Sequence, residues 1–187
     1  MSKYVLVFKG SPRENGNSST LADRAVQGAK DAGANVEVFS LHRMDIHPCD
    51  GCDTCKETGV CVLKDDMQQL YPKLTQADAI IIASPIYWFT LNAQTKLFID
   101  RWYGLESQQG NALRGKHFGI LLTYGDTDPY SSGAINAIRT FQDMLRYIGA
   151  HLSGLVYGTA NDVGDVLKQP KILEQAYQLG EKLASND

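Results

Sequence analysis

All four cysteines of the 187-residue chain fall within CDGCDTCKETGVC, residues 49–61, as Cys49, Cys52, Cys55 and Cys61. The spacing C-x2-C-x2-C-x5-C gathers four soft donors in one loop. Such a set could hold an iron-sulfur cluster or zinc, form disulfides, or remain as unmetallated thiols. Three closely spaced thiolates can converge on a cluster, and the fourth is near enough to complete its own site. The run departs from the ferredoxin pattern C-x2-C-x2-C-x3-C-P, with five residues before Cys61 and Val62 after it. Structural zinc favours two ligand arms separated by a longer segment, so one compact arm suits it less. Gly51 and Gly59 permit the tight turns that wrapping requires. His47 has the chemistry of a ligand, but before Pro48 it reads more simply as a solvent-facing residue.

A second loop, KGSPRENGNSST at 9–20, has the composition of an anion cradle. A small-residue loop entering a helix offers free backbone N–H groups and the positive end of the helix dipole. Ser11, Asn17, Ser18 and Ser19 can add donors, and Arg13 can hold a phosphate by a two-pronged bond. The loop is not G-x-G-x-x-G and lacks the Walker lysine, so dinucleotide and nucleoside triphosphate sites fit poorly. A polar loop with an ordinary serine cap is the bland alternative. In SPIYWF, residues 84–89, Pro85 restricts the backbone while Ile86, Tyr87, Trp88 and Phe89 offer large side chains suited to a flat heterocycle. A core cap or a subunit interface would use the same residues. A fourth stretch, TYGDTDPYSSG, brings Thr123, Tyr124 and Gly125 to a turn, although G-D and D-P alone also read as ordinary turn chemistry.

These loops need elements to hold them. Strand-like apolar runs are YVLVF (4–8), VEVFSL (36–41), AIIIAS (79–84), HFGILLTY (117–124) and HLSGLVY (151–157). The first, third and fourth are nearly continuous, as strands covered on both faces by helices are. Helical periodicity fills the intervals: 19–33, which starts with hydroxyl caps; 92–104; 132–149; and a last helix from Pro170. In DDMQQLYPKLTQA, residues 65–77, Asp66 and Gln69 have the spacing of a capping box, and Pro72 should kink or shorten the helix. The alternation predicts an α/β fold with one doubly wound parallel sheet and right-handed crossovers. A single domain over 1–187, with a cysteine-rich loop at 47–64, is expected. Such sheets bind ligands beyond the carboxyl ends of their strands, where the unusual loops lie.

Composition bounds the partners. A formal net charge of -3 gives no electrostatic case for nucleic acid or an anionic membrane. No run approaches the roughly 18 apolar residues of a transmembrane helix. MSKYVLVFKG lacks the apolar core and cleavage site of a signal peptide. A cytoplasmic, reducing setting is expected, which disfavours disulfides.

Taken together, G-S-P-R-x-x-G-N-S-S after the first strand, S-P-I-Y-W after the third and K-x-F-I-D-R at 96–101 resemble the NADPH-dependent FMN reductase branch of the flavodoxin-like superfamily. The four-cysteine loop is similar to that of its iron-sulfur flavoprotein subgroup. The resemblance spans residues 3 to 160. It implies a flavodoxin-like five-stranded parallel sheet, order 2-1-3-4-5, with helices on both faces. It also implies FMN, with Ser11, Arg13, Asn17, Ser18 and Ser19 around the phosphate. Pro85, Ile86, Tyr87, Trp88, Thr123, Tyr124 and Gly125 would lie around the ring. A [4Fe-4S] cluster on Cys49, Cys52, Cys55 and Cys61, NAD(P)H as co-substrate and a homodimer or homotetramer complete the expectation. The electron partner would be a small molecule or ferredoxin. For Lys96, Asp100 and Arg101, a helix-surface ion pair or subunit contact is expected. No catalytic side chain is singled out, since hydride transfer to a flavin requires none. A cluster-free NAD(P)H:FMN or quinone reductase, and a flavodoxin-like electron carrier, remain open. Flavodoxins proper lack this arginine in their Thr/Ser-rich loop, which argues against the carrier.

Overall fold

The computed structural model describes residues 2–107 and 109–185. In chain order the elements are β1 (Tyr4–Lys9), α1 (Asn17–Asp31), β2 (Asn35–Ser40), α2 (Thr54–Thr58), α3 (Met67–Gln76), β3 (Ala79–Tyr87), β4 (Thr90–Leu91) and α4 (Ala93–Asp100). A 3-10 segment at Arg101–Leu105 follows, then β5 (Glu106–Ser107), β6 (Gly110–Asn111), β7 (His117–Tyr124), α5 (Ala134–Ile148), β8 (His151–Thr159) and α6 (Pro170–Ala184). The long strands pair in parallel in the order β2-β1-β3-β7-β8. Leaving aside the two-residue strands, this is the expected order 2-1-3-4-5.

The near-continuous apolar runs are explained by two cores, one on each face of the sheet. Leu6 and Phe8 of β1, Ile80 and Ile82 of β3, and Phe118, Ile120 and Leu122 of β7 face α3, α4 and α5. The alternate residues Val5, Val7, Ile81, Ala83 and Leu121 face α1 and α6. Period-two geometry splits each strand between the faces, so a strand covered twice must be apolar throughout. No described helix is long and apolar enough to cross a membrane.

Three local expectations change. The third strand does not stop at Ser84 but runs through Pro85 to Tyr87, and then folds back as β4. The helix expected over 92–104 becomes 3-10 after Asp100. The predicted capping box is absent: Asp65 Oδ1, not Asp66, accepts the Met67 N–H, while Asp66 Oδ2 takes the Asp45 N–H. Pro72 neither ends nor visibly shortens α3. An internal proline costs about 3 kcal/mol. Burying Met67, Leu70 and Leu74 returns about 1.5–3 kcal/mol for each side chain, so packing wins.

Candidate functional site

The carboxyl ends of β1, β3 and β7 bring three loops together, and hydrogen bonds lock them to one another. Asn92, buried at the start of α4, donates to the Gly10 carbonyl and accepts from Ser84 and Thr95 hydroxyls. The first loop is thereby tied to the end of β3. A Cβ on Gly10 would lie 2.0 Å from Thr95 Oγ1, so only glycine permits this approach. On the other side Asn17 clamps the segment after β8. Its amide donates to the carbonyls of Ala160 and Asp162, and its oxygen accepts the N–H groups of Gly164 and Val166. The Asn17 side chain is thus fully occupied and leaves only its backbone N–H for an anion.

The helix start itself is open. Gly16 stands at the N-cap position of α1 and no side chain caps the helix. The ordinary serine cap does not form. The first intrahelical bond is made by Thr20, to the Gly16 carbonyl, so the N–H groups of Asn17, Ser18 and Ser19 precede it. Ser11, Ser18 and Ser19 are buried, and the Ser18 hydroxyl has no partner among the described residues. A buried hydroxyl left unpaired costs about 1–3 kcal/mol, which a bound acceptor would remove. Arg13 is exposed, with only a 3.4 Å contact to the Asn161 carbonyl. An open cleft of about 500 Å³ adjoins the loop, lined in part by Lys9, Ser11, Arg13, Ser19, His42 and Arg43. The donor set suits a phosphate group.

The aromatic loop is a two-residue hairpin. Ile86 pairs with Leu91 and Tyr87 with Thr90, leaving Trp88 and Phe89 at the turn with φ of 46° and 66°. Such turns favour Asn-Gly, and a bulky residue there costs roughly 1–2 kcal/mol. The surroundings enforce it. Gly133, itself at φ 76°, lies so close that a Cβ would come within 2.4 Å of Phe89, and Asn136 donates to the Phe89 carbonyl at 3.0 Å. Trp88 is 92% exposed, so it is no core cap. Ile86, Trp88, Phe89, Tyr124, Gly125, Ser131 and their neighbours line a cleft of about 330 Å³. Pro85 and Thr123, each next in sequence to a lining residue, are buried and paired across β3 and β7. Tyr87 stands exposed outside that lining. Phe89, named with the aromatic loop, lines the cleft, and Ser131 and Ser132 join it although sequence reasoning had not assigned them to it. Burial raises the Tyr124 phenol above its ordinary value, so it remains a neutral donor.

The cysteine loop is arranged differently. All four thiols line one small cavity with Arg101 and Tyr103. Gly51 and Gly59 take the left-handed turns expected of them, at φ 68° and 73°. Cys49 and Cys52 are exposed, Cys55 is buried in α2 and Cys61 is half-buried. Burial, reinforced by Cys61, raises the Cys55 thiol. Burial opposes ionisation of Cys61 too, but hydrogen bonds from the Leu63 backbone, Tyr71 and Arg101 hold it below the ordinary thiol value.

Arg101 therefore corrects an expectation. Asp100 does form a helix-surface pair with Lys96, at 2.6 Å, but Arg101 is buried against Asp65 and donates to Cys61 Sγ at 3.3 Å. Burial alone would lower the guanidinium pKa, and the bonds to Asp65 and Cys61 raise it instead. Four thiols with one already polarised suit a thiophilic group. Among the described residues no three His, Cys, Asp or Glu side chains meet as a single metal ion requires. A cluster, with a separate iron for each thiolate, does not ask for that convergence. The cavity as it stands measures about 20 Å³, room for a water, and two of its four thiols, Cys49 and Cys52, are exposed.

Among known proteins, the chain matches the family model described as NADPH-dependent FMN reductase over residues 4–161. It is 35% identical over 177 residues to an iron-sulfur flavoprotein of Archaeoglobus fulgidus, covering 94% of this chain and 76% of that one. Identity to an iron-sulfur flavoprotein of Methanocaldococcus jannaschii is 33% over 188 residues, covering 96% and 95%. The solved structure of the NAD(P)H:quinone oxidoreductase from Methanothermobacter marburgensis is similar at a TM-score of 0.76 over 100% of both chains. At 19% identity this is a likeness of fold.

Proposed function

The chain belongs to the NADPH-dependent FMN reductase family, and from that premise we propose that the three loops at the strand ends hold FMN while the cysteine loop holds a [4Fe-4S] cluster. The protein is an FMN-dependent NAD(P)H oxidoreductase. One observation carries the site assignment: among the described residues, α1 begins with three unbonded N–H groups, no side-chain cap and the buried, partnerless hydroxyl of Ser18.

Bound FMN supplies a hydride acceptor that can release electrons singly or in pairs. The chain binds and orients it. Ser11, Ser18, Ser19, the backbone of Asn17 and the Arg13 guanidinium take the phosphate. Pro85 and Thr123 fix the floor, and Ile86, Trp88, Tyr124 and Gly125 surround the ring, with Tyr87 at its outer edge. Trp88 and Phe89 shield one side of the cleft from water, and the neutral Tyr124 can donate a hydrogen bond. Cys49, Cys52, Cys55 and Cys61 would be the cluster ligands.

Small redox molecules serve as partners, since the cleft beside the hairpin is open. Ferredoxin as a single-electron partner, a homodimer or homotetramer, a cytoplasmic setting and one domain over 1–187 belong to the same proposal. The small cavity among the cysteines, about 20 Å³, favours a second reading, a cluster-free reductase with the same flavin loops.

Stopped-flow mixing of the FMN-loaded protein with NADH or NADPH tests the enzyme reading. Bleaching of the flavin absorbance within one turnover is expected with at least one nucleotide. Inertness to both, with reduction by a protein donor, would make it an electron carrier. Titration of the flavin-free protein with FMN and riboflavin tests the site, and FMN should bind far more tightly.

A further inference from the structure

We propose that Arg101, braced by Asp65, is the positioning residue of the cysteine loop: it presets the Cys61 arm and leaves Cys49 and Cys52 as the arm that closes on a cluster. This rests on the reading of the loop as a cluster site. Side chains 101 and 65 are almost inaccessible, at 1% and 0% exposure, although they form an ion pair at the edge of a surface loop. Arg101 Nη1 bonds to Asp65 Oδ2 and donates to the His47 carbonyl at 2.9 Å. Its Nη2 donates to Asp65 Oδ1 at 3.2 Å and to Cys61 Sγ at 3.3 Å. Asp65 Oδ2 in turn accepts the His47 N–H at 2.9 Å. Both backbone groups at one end of the loop, and the sulfur at the other, are therefore held by one buried pair. Gln68 adds to the far end by donating to the carbonyls of Cys61 and Leu63.

Among the described residues no buried pair holds Cys49 or Cys52, both exposed: the Cys52 N–H donates to its neighbour Asp50 at 3.3 Å, and Asp53 is tied to Tyr103 and Lys56 at the surface. The asymmetry leaves one arm held and the other free to adjust around a group larger than the present cavity. Arginine suits the fixed arm because its rigid fork can serve Asp65, the His47 carbonyl and Cys61 at once, which a lysine ammonium cannot. A guanidinium also stays charged at every working pH, so its bond to the sulfur persists. Hydrogen bonds to cluster sulfurs help set reduction potentials, and a donor favours the more negative, reduced state. Arg101 should therefore hold the cluster potential above the value it would have without that bond.

Two variants separate positioning from mere core filling. Arg101→Lys keeps a buried cation against Asp65 but loses the bond to Cys61. The double variant Asp65→Asn/Arg101→Gln leaves no unpaired buried charge and gives up only part of the arginine volume, so it should fold even if the single one does not. Each is compared with wild type by hydrogen exchange of the metal-free protein. Iron and sulfide content after anaerobic reconstitution, and the cluster midpoint potential, follow. Faster exchange confined to residues 47–61 is expected in both. Arg101→Lys should take up iron but with its potential moved negative, and the double variant should take up less iron than wild type. Unchanged exchange, iron content and potential, or faster exchange spread over the whole chain, would overturn the assignment. If wild type itself takes up no iron, the cluster reading fails. Exchange over 47–61 then still decides whether Arg101 clamps the loop.

Discussion

The start of α1 and the cysteine loop both offer unsatisfied donors, but only the first is ready for its ligand. The N–H groups of Asn17, Ser18 and Ser19 are aimed by the helix itself, and Asn92 and Asn17 brace the loops on either side. The cysteines are carried by a loop with a five-residue helix, fixed at Cys61 and exposed at Cys49 and Cys52. Backbone donors come preorganised with secondary structure, whereas a set of four side-chain ligands must be assembled. The flavin site should therefore survive damage to the cysteine loop.

The largest effect tests that independence. Cys52→Ala should reduce reconstituted iron from about four per chain to none, the stoichiometry of a cluster with four thiolate ligands. FMN content should be unchanged by absorbance. Loss of FMN along with the iron would mean that the two regions are coupled.

Arg13→Ala comes next. Removing a charge-assisted phosphate contact should cost about 1.5–3 kcal/mol, about tenfold to a hundredfold in FMN affinity by fluorescence titration. Riboflavin affinity should barely change, and thermal stability should stay within about 0.5 kcal/mol because Arg13 is exposed. Equal losses for both flavins would remove Arg13 from the phosphate.

Gly133→Ala probes the preorganised side from beneath. A Cβ at φ 76° and 2.4 Å from Phe89 must push the hairpin tip away. A stability loss of about 1–3 kcal/mol by thermal melting is expected, with a shifted flavin absorbance band. A destabilised protein with an unaltered flavin spectrum would show that the hairpin does not border the ring.

The smallest effect concerns Trp88. Asparagine tolerates the left-handed conformation, and the exposed indole gives up little packing. Trp88→Asn should leave stability within about 1 kcal/mol of wild type, or raise it, yet alter flavin absorbance or affinity. A marked loss of stability would return Trp88 to an interface between subunits.

Much of this was legible before the fold was seen, for identifiable reasons. The apolar runs of β1, β3 and β7 carry their burial on both faces in their composition, and the order of loops follows from the alternation of elements. The hairpin was not legible because Trp-Phe violates the turn rules, and only contact with Gly133 and Asn136 forces it. Asn17 reads as an anion donor until β8 brings residues 160–166 beside it. Arg101, beside Lys96 and Asp100, reads from sequence as part of a helix-surface ion pair or a subunit contact. The helix becomes 3-10 after Asp100, which turns Arg101 inward to Asp65. The signal that could have found it was the acidic pair Asp65 and Asp66 shortly after Cys61, with no cation at helical spacing.

One chain is proposed to carry two redox groups, held by separate loops of a single fold. Iron, acid-labile sulfide and flavin should be counted per chain in protein purified and reconstituted without oxygen. The account predicts about four iron, about four sulfide and about one FMN. One FMN with no iron after reconstitution, and every cysteine titrating as a free thiol, would contradict it.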